Sequence, residues 1–245
     1  MNYEEYKFSK KELAIFCLQW IGIAGVTAYF FYRSVVVFMV LLPMFFLYLK
    51  WRKKEAIRKR KWELTLAFRE AVVMVAGNLQ AGNSVENAFK KVYADLKTLY
   101  GEHAEISREF RMIGRGLDNN MVLEALLMDF GERSGVEDIK DFADIFGIAK
   151  RTGGNLKEII SDTADAISTK TEMRRELRIL ISEKQFEQRI MSVIPFFILI
   201  YIGFTSPGYF DSLYHNLQGI GIMTACLAAY LAALFWSMKI TEIEV

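Results

Sequence analysis

The placement of uncharged apolar sequence constrains this chain most: two hairpins, at 13–49 and 190–238, bracket about 140 residues of charged sequence. Hydrophobic residues make up 53% of the chain and charged residues still 24%, so the two kinds must be segregated. Leu13 to Tyr32 runs 20 residues without a charge, the length that crosses a bilayer core of about 30 Å. Arg33 stands alone before a second apolar run, Ser34 to Leu49. That run and Ile190 to Thr205 are 16 residues each, slightly short, so Tyr48, Trp51, Tyr201 and basic stems would complete the spans. Gly219 to Met238 is again full length. A short apolar run can also be a buried core helix, but each here is paired with a longer one, which favours two transmembrane hairpins and four spans.

Orientation follows from the basic residues. Of 31 Lys and Arg, 26 lie between Lys50 and Arg189, while Pro207 to Gln218 holds none. The positive-inside rule then puts both termini and the central region in the cytosol, with the hairpin tips outside. The run Lys50, Arg52, Lys53, Lys54, Arg58, Lys59, Arg60 and Lys61 could be a patch for nucleic acid or anionic lipid. Its position directly after a span makes topology the better reading, and no nucleic-acid partner is expected. The first 12 residues are charge-balanced and no small-residue cleavage site follows, so the first span is expected to stay uncleaved. Cys17 and Cys226 lie inside predicted spans, where packing is a better role than disulfide or thiolate chemistry.

Between Lys50 and Arg189 there is no Pro, and apolar residues recur at three- and four-residue intervals, so this region is expected to be all-helical. Leu64, Phe68, Val72, Val75 and Leu79 form the first stripe, which should stop at Ala81-Gly82 with the glycine in the left-handed conformation. Asn83-Ser84 supplies the cap of a second helix, Val85 to about Leu99. A third is expected from about Glu102 to Arg115. Gly116 to Asn119 reads as a turn opening a fourth that ends near Glu132. After Ser134-Gly135 a fifth runs from Val136 to Thr152, ended by Gly153-Gly154, and Asn155 caps a sixth. The predicted architecture is therefore all-α: a single six-helix cytosolic bundle, 50–189, flanked by hairpins at 1–49 (spans about 13–32 and 34–49) and 190–245 (spans about 190–205 and 219–238).

Part of the sequence repeats. Gly82 to Phe89 resembles Gly153 to Ile160, and Met121 to Leu126 is a weaker third copy. Either an old duplication or the shared needs of Gly-terminated helical hairpins explains this. No Gly or Pro separates Met44 from Ala76, or Asn155 from Ile194, so body helices can continue as the second and third spans, with Pro195 as an expected kink.

Catalytic constellations are not legible. No Gly-Lys dipeptide occurs, which removes the P-loop route to nucleotide hydrolysis. His103 and His215 are the two histidines, placed on opposite sides of the expected membrane, so no shared metal site follows. Gly153-Gly154 before a helix start could bind an anion, but capping explains it better. Glu137, Asp138, Asp141 and Asp144 sit at helical spacing and read as a solvated or partner-binding face. The spans hold no Asp, Glu, Lys, Arg or His, which disfavours transport. Ala225, Ala229 and Ala233, with Ala228 and Ala232, would permit close packing of the fourth span. The expected site residues are thus structural: turns at Gly82, Ser84, Gly153, Gly154 and Asn155, with Arg151 beside them, and no catalytic, cofactor or metal residue.

The stretch Phe68 to Leu96, with Val72-Val73-Met74-Val75-Ala76-Gly77-Asn78-Leu79-Gln80-Ala81-Gly82-Asn83-Ser84, resembles the F domain of platform proteins in type II secretion and type IV pilus systems. Ala149-Lys150-Arg151-Thr152-Gly153-Gly154-Asn155-Leu156 resembles that family's helix, Gly-Gly, helix turn, and Arg174-Arg175-Glu176-Leu177-Arg178 its basic stretch before the third span. The likeness extends through the Pro195 span to Ile243-Glu244-Val245. One copy of the domain with two spans on each side resembles the tight-adherence (Tad) pilus branch, whose members work as pairs of related chains. The resemblance implies a multi-pass protein of the bacterial cytoplasmic membrane with no enzymatic activity of its own. Its implied partners are a cytosolic assembly ATPase, pilin or prepilin subunits, and a second copy or a paralogue, within the lipid bilayer. A scaffold or anchor for another membrane complex, or a membrane-anchored sensor or enzyme, is the alternative.

Overall fold

The computed structural model describes residues 3, 8–206, 208–209 and 216–241; the expectations for His215 and for Ile243 to Val245 lie outside them. Of the described residues 88% are helical, and none of them is in a strand. In order come α1 (Lys10–Thr27) with a π-helical turn at Ala28–Tyr32, α2 (Val35–Leu41), a 3-10 turn at Leu42–Met44, and α3 (Phe45–Gln80). There follow α4 (Val85–Tyr100), α5 (Glu105–Asp118), α6 (Leu123–Ser134), α7 (Glu137–Thr152), α8 (Leu156–Thr205) and α9 (Leu217–Thr241). The chain forms two compact units, Met1–Lys7 with Lys53–Met173, and Phe8–Arg52 with Arg174–Val245. α3 and α8 each contribute residues to both.

The first unit is built on the expected stripe: Leu64, Phe68, Val72, Val75 and Leu79 are all buried on α3. They meet Phe89 and Val92 of α4, Phe110 of α5, Phe130 of α6, Phe142 and Phe146 of α7, and Ile160, Ala164 and Ile167 of α8 in one core. Phe142 lies at the centre of an aromatic chain, 5.5 Å from Phe68, 6.5 Å from Phe89 and 6.3 Å from Phe146 between ring centroids. Burying each such side chain contributes about 1.5–3 kcal/mol, enough to hold charged, otherwise solvated helices together. α4 packs chiefly on α5, and α6 on α7, with α5 touching α6.

Two sequence expectations need correction. Gly116 does not open a turn: α5 continues through Asp118, and Gly116 is buried where an added Cβ would stand 2.6 Å from the Leu126 side chain. Its role is helix-to-helix approach, and the turn falls at Asn120, which takes the left-handed φ of 58°. Asp138 belongs to no solvated face. It is 3% exposed and ion-paired with Lys170 of α8 at 2.5 Å, because α8 passes over the start of α7. Gly131 makes the other close approach, its absent Cβ leaving 3.0 Å to the Lys140 Cα. Gly131→Ala must push α6 from α7 backbone, and about 1–3 kcal/mol of stability loss is expected in denaturant unfolding of the micelle-embedded chain.

The second unit is apolar and outward-facing. Leu18, Phe46, Phe197 and Trp236 are all exposed, an arrangement suited to lipid and unfavourable in water. α1 opens on a capping box, the Ser9 amide donating to Glu12 Oε2 at 2.8 Å. The hairpin tip is Arg33, whose left-handed φ of 42° reverses the chain after the π-helical turn. Trp20 Nε1 donates to the Leu41 carbonyl at 3.2 Å, and Tyr48 to Gln19 Oε1 at 3.2 Å, tying the two arms. Pro43, which has no amide hydrogen, accounts for the tightened 3-10 turn within the second apolar run. Phe31 and Met223 are buried together among Tyr32, Phe196, Leu199 and Leu227.

Among the described residues, three helical runs are long and apolar enough to cross a membrane: Val35–Gln80, Leu156–Thr205 and Gln218–Ser237. The first apolar run divides differently from expectation. α1 takes in Lys10, Lys11 and Glu12, and the rest of the run passes into the π-helical turn.

Candidate functional site

The turns singled out by sequence lie at one end of the first unit, where α3 and α7 end and α4, α6 and α8 begin. At the first, Gly82 has φ 90°, its amide reaches the Leu79 carbonyl at 3.0 Å, and the Asn83 amide reaches back to Asn78 at 3.2 Å. A side chain is strained at such a φ, so glycine lets the α3 carbonyls be satisfied while the chain turns. Ser84 Oγ then accepts from the Asn87 amide at 3.4 Å at the start of α4. The second turn repeats the geometry: Gly153 has φ 70° and the Gly154 amide reaches Ala149 at 3.1 Å. Asn155 faces Glu158 twice, Oδ1 towards its amide at 3.5 Å and Nδ2 to Oε2 at 3.1 Å. The weaker third copy keeps the reversal, with Met121 amide to Gly116 carbonyl at 2.9 Å, but has no side-chain cap on α6.

Lysines bring these starts together. Lys150 Nζ is 3.0 Å from Glu124 of α6 and 4.0 Å from Glu86 of α4. Lys157 Nζ approaches the Gln80 carbonyl at the end of α3 at 3.5 Å, a cation at a helix C-terminus. Arg151 is occupied locally, Nε donating to the Gly147 carbonyl at 3.1 Å. Ala225, Ala229 and Ala233, with Ala228 and Ala232, are not brought into a contact face: all are exposed, and α9 packs instead through Met223 and Leu227. Tyr230 of the same helix donates to the Ser192 carbonyl at 2.5 Å, beside Pro195, where the α8 hydrogen-bond ladder lacks a donor.

A charged cluster that the sequence did not reveal is buried at the other end of the first unit. Glu109 has no exposed surface, and Arg133 grips it with a two-pronged bond, Nη1 to Oε1 at 2.9 Å and Nη2 to Oε2 at 2.8 Å. Arg133 Nε also donates to Asp129 at 2.7 Å. The Tyr3 hydroxyl donates to Glu109 Oε1 at 2.7 Å, and the Arg60 guanidinium, paired with Glu105, lies 4.8 Å from the Tyr3 ring centroid. Nothing in the local sequence marks Glu109 as buried, beyond its place among Ile106, Phe110 and Ile113 on one helical face.

Burial and the neighbouring Glu109 carboxylate push the Tyr3 phenol well above its ordinary value, and burial with Glu70, 2.6 Å away, does the same for Tyr100. Both phenols stay protonated in the fold at a pH where the unfolded chain has begun to release its protons. The unfolded state then binds fewer protons, so stability falls as pH rises above about 10. Alkaline unfolding is expected to flatten when both are replaced, in Tyr3→Phe/Tyr100→Phe, measured by circular dichroism against pH.

Among the described residues no group of His, Cys, Asp and Glu is placed to hold a metal ion. Geometry of this kind, with charged helices locked by turns and ion pairs and continued by apolar helices, defines a helical membrane protein. The chain belongs to the type II secretion system (T2SS) protein F family, whose model matches residues 55–204, more than half of its length. That family points to a membrane platform protein of secretion or pilus machinery. Comparison with curated proteins and with solved structures gives no match.

Proposed function

We propose that this chain is a multi-pass platform of the bacterial cytoplasmic membrane in a type IV, Tad-like pilus or type II secretion machine. It couples a separate cytosolic ATPase to extraction of pilin subunits and assembly of a filament. The observation that carries this reading is that, in a T2SS protein F family member, the helical runs at 35–80 and 156–205 join the charged body to apolar sequence without a break. Motion imposed on the body is then passed along helix backbones, which resist bending better than a loop. In this reading the nucleotide chemistry belongs to the partner, in keeping with a sequence that carries no P-loop.

In this reading the first apolar run is a fourth span, both termini and the region 50–189 are cytosolic, and 1–49 and 190–245 are the membrane hairpins. The glycine turns at Gly82 and Gly153-Gly154, with Ser84 and Asn155, fix the body's shape, and the alanine face of α9 meets another copy or a paralogue. Purification of the tagged chain from its own membrane tests the reading. A hexameric ATPase and prepilin-like subunits should co-purify, and the chain alone should not hydrolyse ATP. Recovery of neither partner, or turnover abolished by substitutions in this chain, would contradict it.

A further inference from the structure

α8 carries an exposed row of side chains that the platform reading leaves unused. Leu177, Leu180, Lys184, Glu187, Met191 and Ile194 follow one another at alternating steps of three and four residues, and all six are exposed. That is the repeat with which two helices wind around each other, each side chain entering a hole on the facing helix. α8 packs on its own chain along a different side: the Ser192 carbonyl accepts from Tyr230 of α9, and Phe196 and Leu199 lie against Phe31 and Met223. Lipid can cover Met191 and Ile194, which fall in the apolar run, but lipid sets no register. Leu177 and Leu180, 47% and 62% exposed, instead fall among Arg174, Arg175, Arg178, Glu183 and Lys184, in sequence too charged for a bilayer core. A helix with the same apolar row and its own flanking charges covers them without burying a lone charge.

The two polar positions of the row say which helix that is. Lys184 and Glu187 carry opposite charges at consecutive places in the repeat and lie 3.1 Å apart, both well exposed. We propose that the row is a contact surface for α8 of a second copy of this chain, the two helices running parallel and in register from Leu177 to Ile194. Copies of one chain enter a bilayer in the same direction, which makes the pair parallel. In register, each Lys184 sits beside the second copy's Glu183 and Glu187, so the polar layers of the row are answered by opposite charge. Polar residues at one point of an apolar seam fix its register at some cost in stability. The neighbouring exposed row, Ile179, Glu183 and Phe186, has no such complement, since pairing there sets Glu183 against Glu183. This surface is distinct from the alanine face of α9, and it requires a chain that crosses the membrane but no ATPase or pilin.

Oxidative cross-linking of the full chain in bacterial membranes, expressed alone so that no paralogue or assembly partner is present, tests the pairing. Single cysteines are placed in a Cys17→Ala/Cys226→Ala chain. Leu177→Cys and Leu180→Cys should give disulfide-linked dimer at about fivefold or more the level of Ile179→Cys and Phe186→Cys, because only facing positions bring two Cα atoms within bonding range. Ile179 and Phe186 are as exposed and as apolar, 60% and 64%, so they control for chance collision. Adding Lys184→Glu to Leu180→Cys should cut the dimer by about tenfold or more, the effect of like charges forced together, and Lys184→Glu/Glu187→Lys should restore it. Both charge changes fall on exposed side chains, so the fold and the amount in the membrane should hold. Equal cross-linking at all four positions, no dimer at Leu177→Cys and Leu180→Cys, or a dimer indifferent to Lys184→Glu would overturn the proposal.

Discussion

Arg133→Met is expected to destabilise the helical body by about 3–5 kcal/mol, the cost of leaving a buried charge without its partner. Glu109 has no exposed surface, and both its oxygens are held by the Arg133 guanidinium. Methionine keeps much of the arginine stem's bulk but offers no donor, so the buried carboxylate is left without its counter-charge. A domain of this size is stable by only about 5–15 kcal/mol, so a large share of the total is at stake. Hydrogen exchange of α5 and α6 amides in the micelle-embedded chain reads the loss directly. Glu109→Gln combined with Arg133→Met should recover a substantial part of it, because the orphaned charge is gone. A loss below about 1 kcal/mol in Arg133→Met would show that Glu109 is solvated after all.

Phe142→Ala should cost a comparable amount, about 3–5 kcal/mol, through a cavity at the meeting point of α3, α4 and α7. Phe142 is 1% exposed, and its ring is edge-on to Phe68 at 5.5 Å. Phe68, Phe89 and Phe146 would all face the void, and each is anchored on a different or a rigid element, which limits collapse. Phe142→Leu refills part of the volume and should lose distinctly less. Denaturant midpoints for the two variants, at an unchanged slope, check the ordering; equal midpoints would mean that the core rearranges freely around this position.

The helices of the body were legible because Leu64, Phe68, Val72, Val75 and Leu79 follow one helical face, and all five are buried on α3. Glycine was harder to read. Gly116 and Gly82 are alike in sequence, yet one sits at φ 90° after a helix and the other is buried inside α5 against Leu126. Removing a Cβ serves a turn and a close helix approach equally well, and only the neighbouring helix decides which. α5 starts at Glu105, later than expected, and its cap position, Ala104, makes no side-chain cap that the sequence could have shown. A distant helix supplies the counter-charge that local sequence does not show: Asp138, read as part of a solvated or partner-binding face, pairs with Lys170, and Glu109, which carries no local signal, pairs with Arg133. Tyr3 was invisible for that reason too, its partner Glu109 lying 106 residues away. The local turn at Pro43 could have been read, because proline within an apolar run always removes one backbone donor.

Coupling through continuous helix is the centre of this account, and interrupting that helix tests it most directly. A short flexible Gly-Ser segment inserted after Arg178 would break α8 (Leu156–Thr205) between the body and its apolar stretch while leaving every core residue in place. The account predicts a chain that still inserts in the membrane and still recovers the assembly ATPase, but with filament assembly reduced to background in its native cell. Assembly at the native level with the insert in place would contradict it.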